Sequence, residues 1–309
     1  MAYGHAPVMV REVMELLRPR THKRYLDGTL GGGGHAEQLL ELSAPAGEVL
    51  GLDIDEEAIE ASRARLLRFA GRLVIRRANF TEARKILEEI GWEKVDGVLL
   101  DLGLSSRQVG APERGFSFQR RARLDMRMDR RQSLDAYRIV NTFAVTDLGR
   151  LLRDFGEEPR ARRIAMAIDE ARRQTAIETT TELAEIVQRA AGKRRDRIHP
   201  ATRTFQALRI AVNRELENLE GFLKDAYELL HPNGRMAIIS FHSLEDRLVK
   251  SAFRKWSRSC LCSPRTPVCR CGWSRKVRLL TSRPVVPSQI EIQRNPRARS
   301  ARLRAVERV

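Results

Sequence analysis

The sequence lacks long hydrophobic runs, and this absence excludes a class of protein. No stretch of about 18 apolar residues occurs in the 309-residue chain, so no transmembrane helix is expected. The N-terminal residues also lack the basic segment followed by an apolar one that marks a secretory signal. We therefore expect a cytoplasmic protein that does not act at a membrane.

Lysine is scarce, although the chain is strongly basic. Of the 57 basic residues only 8 are lysine and 49 are arginine, and the formal net charge is +17. Residues 254–309 contain 15 of the basic residues and only two acidic ones, so the last fifth of the chain has a net charge of +13. Arginine binds phosphate through two hydrogen bonds and stacks on bases. The charge therefore predicts a polyanionic partner, with a compositional arginine bias as the alternative.

Cysteine is confined to one short segment. All four cysteines lie in two C-x-C pairs, Cys260 with Cys262 and Cys269 with Cys271. Four thiols suit zinc chemically, but C-x-C is tighter than the usual spacing of zinc ligands. A disulfide is not expected in the cytosol. The spacing favours a cluster without metal, with a structural zinc site as the alternative.

Glycine, in contrast, is concentrated in the run DGTLGGGGH, from Asp27 to His35. An apolar, β-prone segment precedes this run and an amphipathic helical segment follows it. Strand, glycine-rich turn and helix start together hold nucleotide-like cofactors in α/β sheets. A second strand, at 49–53, ends in Asp53, 20 residues after Gly33, which is the spacing of an acid that accepts hydrogen bonds from ribose hydroxyls. A flexible surface loop is the alternative interpretation.

Polar or aromatic side chains follow each predicted strand. The strand at 73–77 leads into Asn79 and Phe80, which could bond to and stack on an adenine, and the strand at 95–101 ends in Asp101. The carboxyl ends of neighbouring parallel strands meet in one crevice, so these side chains should converge there with Asp27 and Asp53. The pattern favours an S-adenosylmethionine-dependent methyltransferase over an NAD-linked oxidoreductase, for which no histidine-based hydride site is evident.

Strand and helix patterns alternate over residues 22–103 and again towards the end of the chain, with helical patterns between them. We predict an α/β fold of the class I methyltransferase type, in which a helical domain is inserted into a Rossmann-like, seven-stranded, doubly wound sheet. The predicted parts are a first methyltransferase segment at 1–105, the helical insertion at 106–198, and a second methyltransferase segment with a basic tail at 199–309. The last part is predicted to contain one long helix at about 201–230 and β segments near 277–283 and 300–307.

The start of the insertion has the composition of a single-strand RNA platform. Phe116 and Phe118 stand among several arginines, namely Arg107, Arg114, Arg120, Arg121 and Arg123. Aromatic rings stack splayed bases while arginines bind the phosphates. The alternative is a loop whose two phenylalanines are pinned in the core.

Longer motifs make the sequence similar to a known family. They follow one another along nearly the whole chain and are far more specific than a glycine loop. The motifs are HAPVM from His5, DGTLGGGGH from Asp27, DLGLSSRQ from Asp101, RGFSF from Arg114, LDMRMD from Leu124, HPATRTFQALRIAVNREL from His199, ISFHSLEDR from Ile239 and NPRARSARLRAVER from Asn295. The chain resembles the bacterial small-subunit ribosomal RNA cytosine-N4-methyltransferases, the MraW family.

The resemblance implies both a reaction and a cofactor site. The reaction would transfer a methyl group from S-adenosylmethionine to N4 of a cytidine in the decoding region of 16S ribosomal RNA. The partner would be that RNA or the small ribosomal subunit. The implied cofactor contacts are Gly33, Gly34, His35, Asp53, Phe80, Asp101 and Gln108. No metal is assigned to this site.

The chemistry of the amine suggests the catalytic candidates. The cytosine amine is a weak nucleophile because its lone pair conjugates into the ring, so an acceptor for its N–H would direct the lone pair. Asp101 is the candidate acceptor, with the backbone carbonyls as far as Ser105 assisting. His242 lies just beyond the strand that ends at Ser240. For His242 a substrate-side role and a structural hydrogen bond both remain open.

Two other functions remain open. A nucleic-acid-binding regulator with a vestigial cofactor site would leave the intact glycine loop and the strand-end acids unexplained. A DNA amino-methyltransferase usually carries a D/N/S-P-P-Y/F/W motif, where this chain has DLGL. The sequence leaves open whether naked RNA or an assembled subunit is the substrate, and whether the protein is a homodimer.

Overall fold

The computed structural model describes residues 7–105, 108, 110–192, 199–263, 266 and 268–309. The chain divides into two compact units. The sheet unit comprises Met1–Gly103 with Glu217–Val309, and the helical unit comprises Leu104–Leu216. Within the described ranges, no helix combines the length and the apolar character that crossing a bilayer requires.

A seven-stranded sheet forms the centre of the sheet unit, as predicted. Its strands lie in the order β3-β2-β1-β4-β5-β7-β6. The first five are parallel to one another, and β7 runs antiparallel to both β5 and β6. The bounds are β1 Arg24–Asp27, β2 Glu48–Asp53, β3 Leu73–Arg77, β4 Val95–Asp101, β5 Leu230–Ser240, β6 Val277–Leu279 and β7 Arg302–Arg308. The strand order reverses between β1 and β4, which is where doubly wound folds open a crevice.

Helices cover the sheet and build the second unit. Those before the insertion are α1 Val10–Leu17, α2 Gly34–Leu42, α3 Glu56–Arg65 and α4 Ala83–Glu89. The helical unit contains α5 Ala136–Thr142, α6 Val145–Gly156, α7 Ala161–Gln174, α8 Thr180–Ala191 and α9 Ala201–Asn213. The chain continues through α10 Glu215–Phe222, α11 Ser243–Ser257 and α12 Gln289–Arg294.

The strands are apolar on both faces, as expected of parallel strands covered by helices on each side. Leu26 and Leu50 lie in one hydrophobic core, and their chain neighbours Tyr25 and Val49 lie in the other. Successive side chains of a strand point to opposite faces. The uninterrupted apolar runs of the strands therefore contribute side chains to both hydrophobic cores, one on each face of the sheet.

The predicted helix at 201–230 is wrong as a single element. Helix α9 ends at Asn213 because Arg214 adopts a left-handed conformation with φ of 51°. Helix α10 follows, then a short 3₁₀ turn at Ala226–Leu229 leads into β5. The apolar periodicity of the two helices reads as one continuous pattern, so the break at Arg214 leaves no sequence signal.

The helical unit extends beyond the predicted boundary at residue 198. Phe205, Leu208 and Val212 of α9 are buried in the core that the inserted helices form. The unit therefore ends near Leu216. A helix at 201–213 has the same apolar period whichever unit it packs against, and sequence alone assigned it to the sheet.

The basic C-terminal segment is largely folded and is not a free tail. Strand β7 is buried between β5 and β6, and Arg304 within it is paired with Asp246 of α11 at 2.7 Å. Glu307 accepts ion pairs from Arg235 and Arg278 at 2.8 and 2.5 Å. Part of the +13 charge is therefore paired with carboxylates within the sheet unit, as a buried guanidinium requires.

Candidate functional site

Three strand-end carboxylates and one histidine lie together at the carboxyl edge of the sheet. Asp27 ends β1, Asp53 ends β2 and Asp101 ends β4. His35, in the first turn of α2, places Nε2 3.4 Å from Oδ2 of Asp101. Asp27 interacts electrostatically with all three of the other groups. The structure thus brings together the acids that the sequence expected to converge.

Asp53 holds the glycine loop in place. Its Oδ2 accepts a hydrogen bond of 2.7 Å from the Gly31 N–H, and its Oδ1 accepts one of 2.9 Å from the Asp55 N–H. A carboxylate oxygen has two lone pairs, so each oxygen retains capacity for another donor. Asp53 can therefore accept hydrogen bonds from a ligand diol while it fixes the loop.

The four glycines have different roles. Gly31 and Gly33 have φ of 51° and 76°, a region that side chains disfavour. A Cβ on Gly33 would lie 2.9 Å from Cδ1 of Leu66, and one on Gly34 would lie 2.8 Å from Cγ of Pro7. Two of the glycines are thus required by packing within the protein, and close approach to a ligand is only part of their explanation.

Helix α2 begins at this loop without a side-chain cap from any described residue. The first N–H groups of a helix have no partner within it, and the helix dipole makes that end positive. Such an end binds carboxylates and phosphates. The backbone at Gly34 and His35 is therefore suited to the carboxylate of an amino-acid-like ligand.

Several polar atoms in this cluster are buried without a hydrogen bond. Among the described residues, Oδ2 of Asp27, Oδ1 of Asp101 and both ring nitrogens of His35 have no hydrogen-bond partner. Buried polar groups are nearly always satisfied, because desolvation without a new hydrogen bond is costly. These atoms are therefore candidate contacts for the polar groups of a ligand.

Burial sets the protonation of the cluster. It raises the pKa of Asp27 to about 7, although His35 and the Thr29 N–H act in the opposite direction. Burial likewise raises the pKa of Asp53 to about 6. It lowers the pKa of His35, but the carboxylates of Asp101 and Asp27 outweigh that effect, and the net shift is upward. A positively charged ligand would relieve the crowding of the acids.

Thr29 is a site residue that the sequence reasoning missed. Its Oγ1 accepts a hydrogen bond of 2.6 Å from the backbone N–H of Asp101, and so links the turn after β1 to the end of β4. Gly103, two residues further on, has φ of 99° and lies under the ring of Phe241. The signal available in the sequence was a hydroxyl side chain inside the run DGTLGGGGH, between Asp27 and the four consecutive glycines.

Phe80 lies beside the turn after β1. A Cβ on Gly28 would be 3.1 Å from Cβ of Phe80, and the Phe80 ring packs edge-on against Phe222 at 5.4 Å. Oδ1 of Asn79 accepts the Thr81 N–H at 3.0 Å and caps a short 3₁₀ helix. Contact of Phe80 and Asn79 with an adenine stays a prediction. Because Oδ1 of Asn79 already accepts the Thr81 N–H, the side-chain amide nitrogen is the atom of Asn79 that could contact the adenine.

Ser105 and Gln108 belong to the helical unit. They form a reciprocal pair, in which the Ser105 N–H donates to Oε1 of Gln108 at 2.9 Å and the Gln108 N–H donates to Oγ of Ser105 at 3.2 Å. These two hydrogen bonds hold residues 105 and 108 together. Their roles at the cofactor and at the amine stay predictions.

His242 caps helix α11. Its Nδ1 accepts the Glu245 N–H at 3.4 Å, and its buried Nε2 lies 3.2 Å from Oε1 of Glu245. The backbone N–H of His242 donates in turn to Oε2 of Glu245 at 3.3 Å, which completes a capping box. The structural alternative from the sequence thus has direct support, and a substrate-side role stays a prediction.

The prediction that Phe116 and Phe118 stack RNA bases is wrong, whereas Arg120, Arg121 and Arg123 of the predicted platform are exposed. Phe116 is buried, and Phe118 stacks on His199 at 4.6 Å and packs edge-on against Phe205 at 4.9 Å. Arg114 is also buried and donates to the carbonyls of Arg127 and Met128. These side chains build the helical core. Arg107 lies outside the described residues.

The raised pKa of Asp27 predicts a pH dependence of stability. Between about pH 4 and pH 7 folded Asp27 keeps a proton that the unfolded chain has lost, so the free energy of unfolding should fall as the pH rises. Asp27→Asn should remove this loss and stabilise the protein at pH 8 by on the order of 4 kcal/mol, since burial raises the pKa of Asp27 from its usual value near 4 to about 7 and one pKa unit is about 1.4 kcal/mol. Urea unfolding at several pH values measures it. Exposed Glu89→Gln is the control, and equal pH profiles of wild type and Asp27→Asn would contradict the assignment.

Comparison with known proteins adds an independent result. The profile of the MraW methylase family matches residues 2–309. A ribosomal RNA small subunit methyltransferase H from Thermomicrobium roseum is 53% identical over 305 residues, which cover 99% of this chain and 94% of the relative. Proteins of the same name from Syntrophus aciditrophicus and Geobacter sulfurreducens are each 49% identical and cover 98% and 100% of their own length. The similarity spans the sheet unit and the helical unit alike, and this chain belongs to the MraW methylase family.

Proposed function

We propose that this protein transfers a methyl group from S-adenosylmethionine to N4 of a cytidine in the decoding region of 16S ribosomal RNA. The observation that carries the proposal is the cluster of Asp27, Asp53, Asp101 and His35 beside an uncapped helix start. The names of the relatives and the family membership support ribosomal RNA as the substrate. The cofactor of this methyltransferase is S-adenosylmethionine.

The residues of the site fit this cofactor group by group. The oxygens of Asp53 suit the ribose hydroxyls, because both retain a free lone pair. The N–H groups at the start of α2 suit the carboxylate of the methionine part. Asp27 and Asp101 offer unpaired buried oxygens to positively charged groups. When bound, S-adenosylmethionine supplies an electrophilic methyl group on a sulfonium.

Orientation of the amine is the task left to the protein. Direct displacement needs the nitrogen lone pair in line with the methyl carbon, and positioning supplies much of the rate of such reactions. Asp101 can accept an N4–H and turn the lone pair towards the methyl group. Its backbone is fixed by Thr29, so the carboxylate stands on a rigid support.

A regulator with a vestigial cofactor site is disfavoured by the same geometry. A vestigial site would not need buried carboxylates without hydrogen bonds, because substitution by apolar residues would relieve the desolvation cost. In this protein Oδ2 of Asp27 and both ring nitrogens of His35 are buried without a hydrogen bond to any described residue. The site has kept residues that are unfavourable unless a ligand binds.

The helical unit offers a basic groove for RNA. A cavity of about 1050 Å³ in this unit is bordered by the exposed Met166, by two acidic residues and by four arginines. The acidic residues are Asp169 and Glu170, and the arginines are Arg160, Arg162, Arg163 and Arg173. No described acidic residue pairs with the exposed Arg162 or Arg163, whereas Arg173 nearby is paired with Asp169 at 2.7 Å. We propose that RNA phosphates bind along this groove.

Methyl transfer to small subunits that lack the modification tests the function. With labelled S-adenosylmethionine, the label should appear in N4-methylcytidine after nucleoside analysis. Asp53→Ala, which removes the diol acceptor, should abolish transfer at low cofactor concentration. The same assay on naked 16S RNA separates the two substrate forms. Label in another nucleoside, or no label in either substrate while the cofactor binds, would refute the proposal.

Replacing Asp101 separates amine orientation from cofactor binding. Asp101→Asn keeps the shape but weakens the acceptor, so the single-turnover rate at saturating cofactor should fall on the order of a hundredfold. The cofactor dissociation constant should change much less. If instead the affinity falls and the rate recovers at saturation, Asp101 mainly holds the cofactor. Normal values of both would remove Asp101 from the site.

Loss of arginines from the groove should flatten the salt dependence of RNA binding. Each neutralised phosphate of a single strand contributes about 0.7 to the slope of log K against log salt concentration. Arg162→Ala with Arg163→Ala should therefore reduce the slope by about 1.4. Exposed Arg11→Ala in α1 is the control and should leave the slope unchanged. An unchanged slope in the double variant would place the RNA elsewhere.

A further inference from the structure

The connection between α11 and β6 contains all four cysteines of the chain, outside the site described above. Cys260 and Cys262 form one C-x-C arm, and Cys269 and Cys271 form the other. We propose that these four sulfurs bind one Zn²⁺ ion as a structural site. The C-x-C spacing in the sequence favoured a cluster without metal. The structure shows in addition that the two arms fold onto each other, which the spacing alone does not reveal.

The positions of the sulfur atoms match the geometry of a four-thiolate site. All four Sγ atoms lie within 4.8 Å of one another. The Sγ of Cys260 is 3.4 Å from that of Cys269 and 3.6 Å from that of Cys271, and the last two are 3.5 Å apart. Tetrahedral zinc with Zn–S bonds of about 2.3 Å requires sulfurs about 3.8 Å apart. Small outward shifts of the thiols would therefore admit the ion.

The backbone between the cysteines supports thiolates in this arrangement. The middle residue of each arm donates its N–H to a sulfur of the other arm. The Leu261 N–H points to Sγ of Cys271 and the Arg270 N–H to Sγ of Cys262, each at 3.4 Å. Hydrogen bonds to ligand atoms orient them and stabilise their negative charge. This reciprocal arrangement is a second observation that points to a ligand between the arms.

A disulfide explains the arrangement less well. A disulfide joins two sulfurs at about 2.05 Å, so one or two disulfides would bring each bonded sulfur much closer to one partner than to the others. All four cysteines are free thiols in this structure, and Cys260 contacts two other sulfurs at nearly equal distances. A shared central ion accounts for the equal spacing.

The charge of the segment also suits a metal–thiolate centre. Four thiolates around Zn²⁺ carry a net charge of −2. Residues 258–276 contain five basic residues and no acidic one. Arg258, Arg270 and Arg275 are exposed in this segment. Nearby positive charge stabilises a negatively charged centre.

Among the described residues of this segment, few contacts other than those of the sulfurs hold its middle in place. Its ends are anchored, because the Trp273 indole N–H donates to the Arg258 carbonyl at 3.1 Å and the Lys276 N–H donates to the Trp256 carbonyl at 2.8 Å. Between these anchors Val268 is 67% exposed, and no described residue at 260–272 is buried. Segments without a hydrophobic core are commonly ordered by a metal.

Metal analysis of the full-length protein tests the proposal. Protein purified without chelator, and freed of any affinity tag, should contain one zinc per chain by plasma mass spectrometry. Cys269→Ser with Cys271→Ser should lose the zinc, whereas Ser274→Ala in the same segment should keep it. Chelation of the wild type should make the segment a target for trypsin at its arginines, with no comparable change in the double variant.

Cobalt substitution keeps the proposal testable if the double variant does not fold. Co²⁺ added to the metal-free wild type should give sulfur-to-cobalt charge-transfer bands and the intense visible bands of a tetrahedral site. Less than a tenth of an equivalent of zinc together with no such spectrum would overturn the proposal. Iron in place of zinc, zinc retained in the double variant, or disulfides in freshly purified protein would also overturn it.

Discussion

Parallel pairing of β1 with both β2 and β4 is the constraint on which the site depends. Leu26 pairs with Leu50 on one side and with Val98 on the other, so the three strands end at the same edge of the sheet. The side chains at the ends of β1, β2 and β4 therefore lie close to one another. Thr29 and the glycine loop then add local links between these ends. The position of the site is thus a consequence of the strand register.

This placement is electrostatically unfavourable for the protein alone. Asp27, Asp53 and Asp101 are crowded in a poorly solvated position, and burial raises the pKa of the first two. His35 provides the only compensating side chain that contacts Asp101 among the described residues. A ligand with a sulfonium and an ammonium group would supply the missing positive charge. The unfavourable electrostatics of the free site and the cofactor binding that we propose for it would therefore have the same origin.

The sequence predicted the sheet and its acidic edge well, because both depend on short-range patterns. Apolar runs, a glycine turn and an acid at each strand end are local signals. The sequence did not predict contacts between residues that are far apart in the chain. The packing of Gly33 on Leu66, the break at Arg214 and the burial of Phe116 depend on partners far away in the chain or on backbone conformation. Composition described the insertion as an RNA platform because it does not distinguish a buried phenylalanine from an exposed one.

Arginine shows the same limit most clearly, since one residue type occupies several environments here. Arg304 is buried against Asp246 and stabilises β7, and buried Arg114 holds backbone carbonyls of the helical unit. Arg162 and Arg163 are exposed and have no acidic partner among the described residues. Only arginines of this last kind can release counterions from RNA without breaking a contact within the protein. The net charge of the chain therefore overestimates the number of RNA phosphates that the protein can bind. The affinity for RNA should depend on the number of exposed, unpaired arginines.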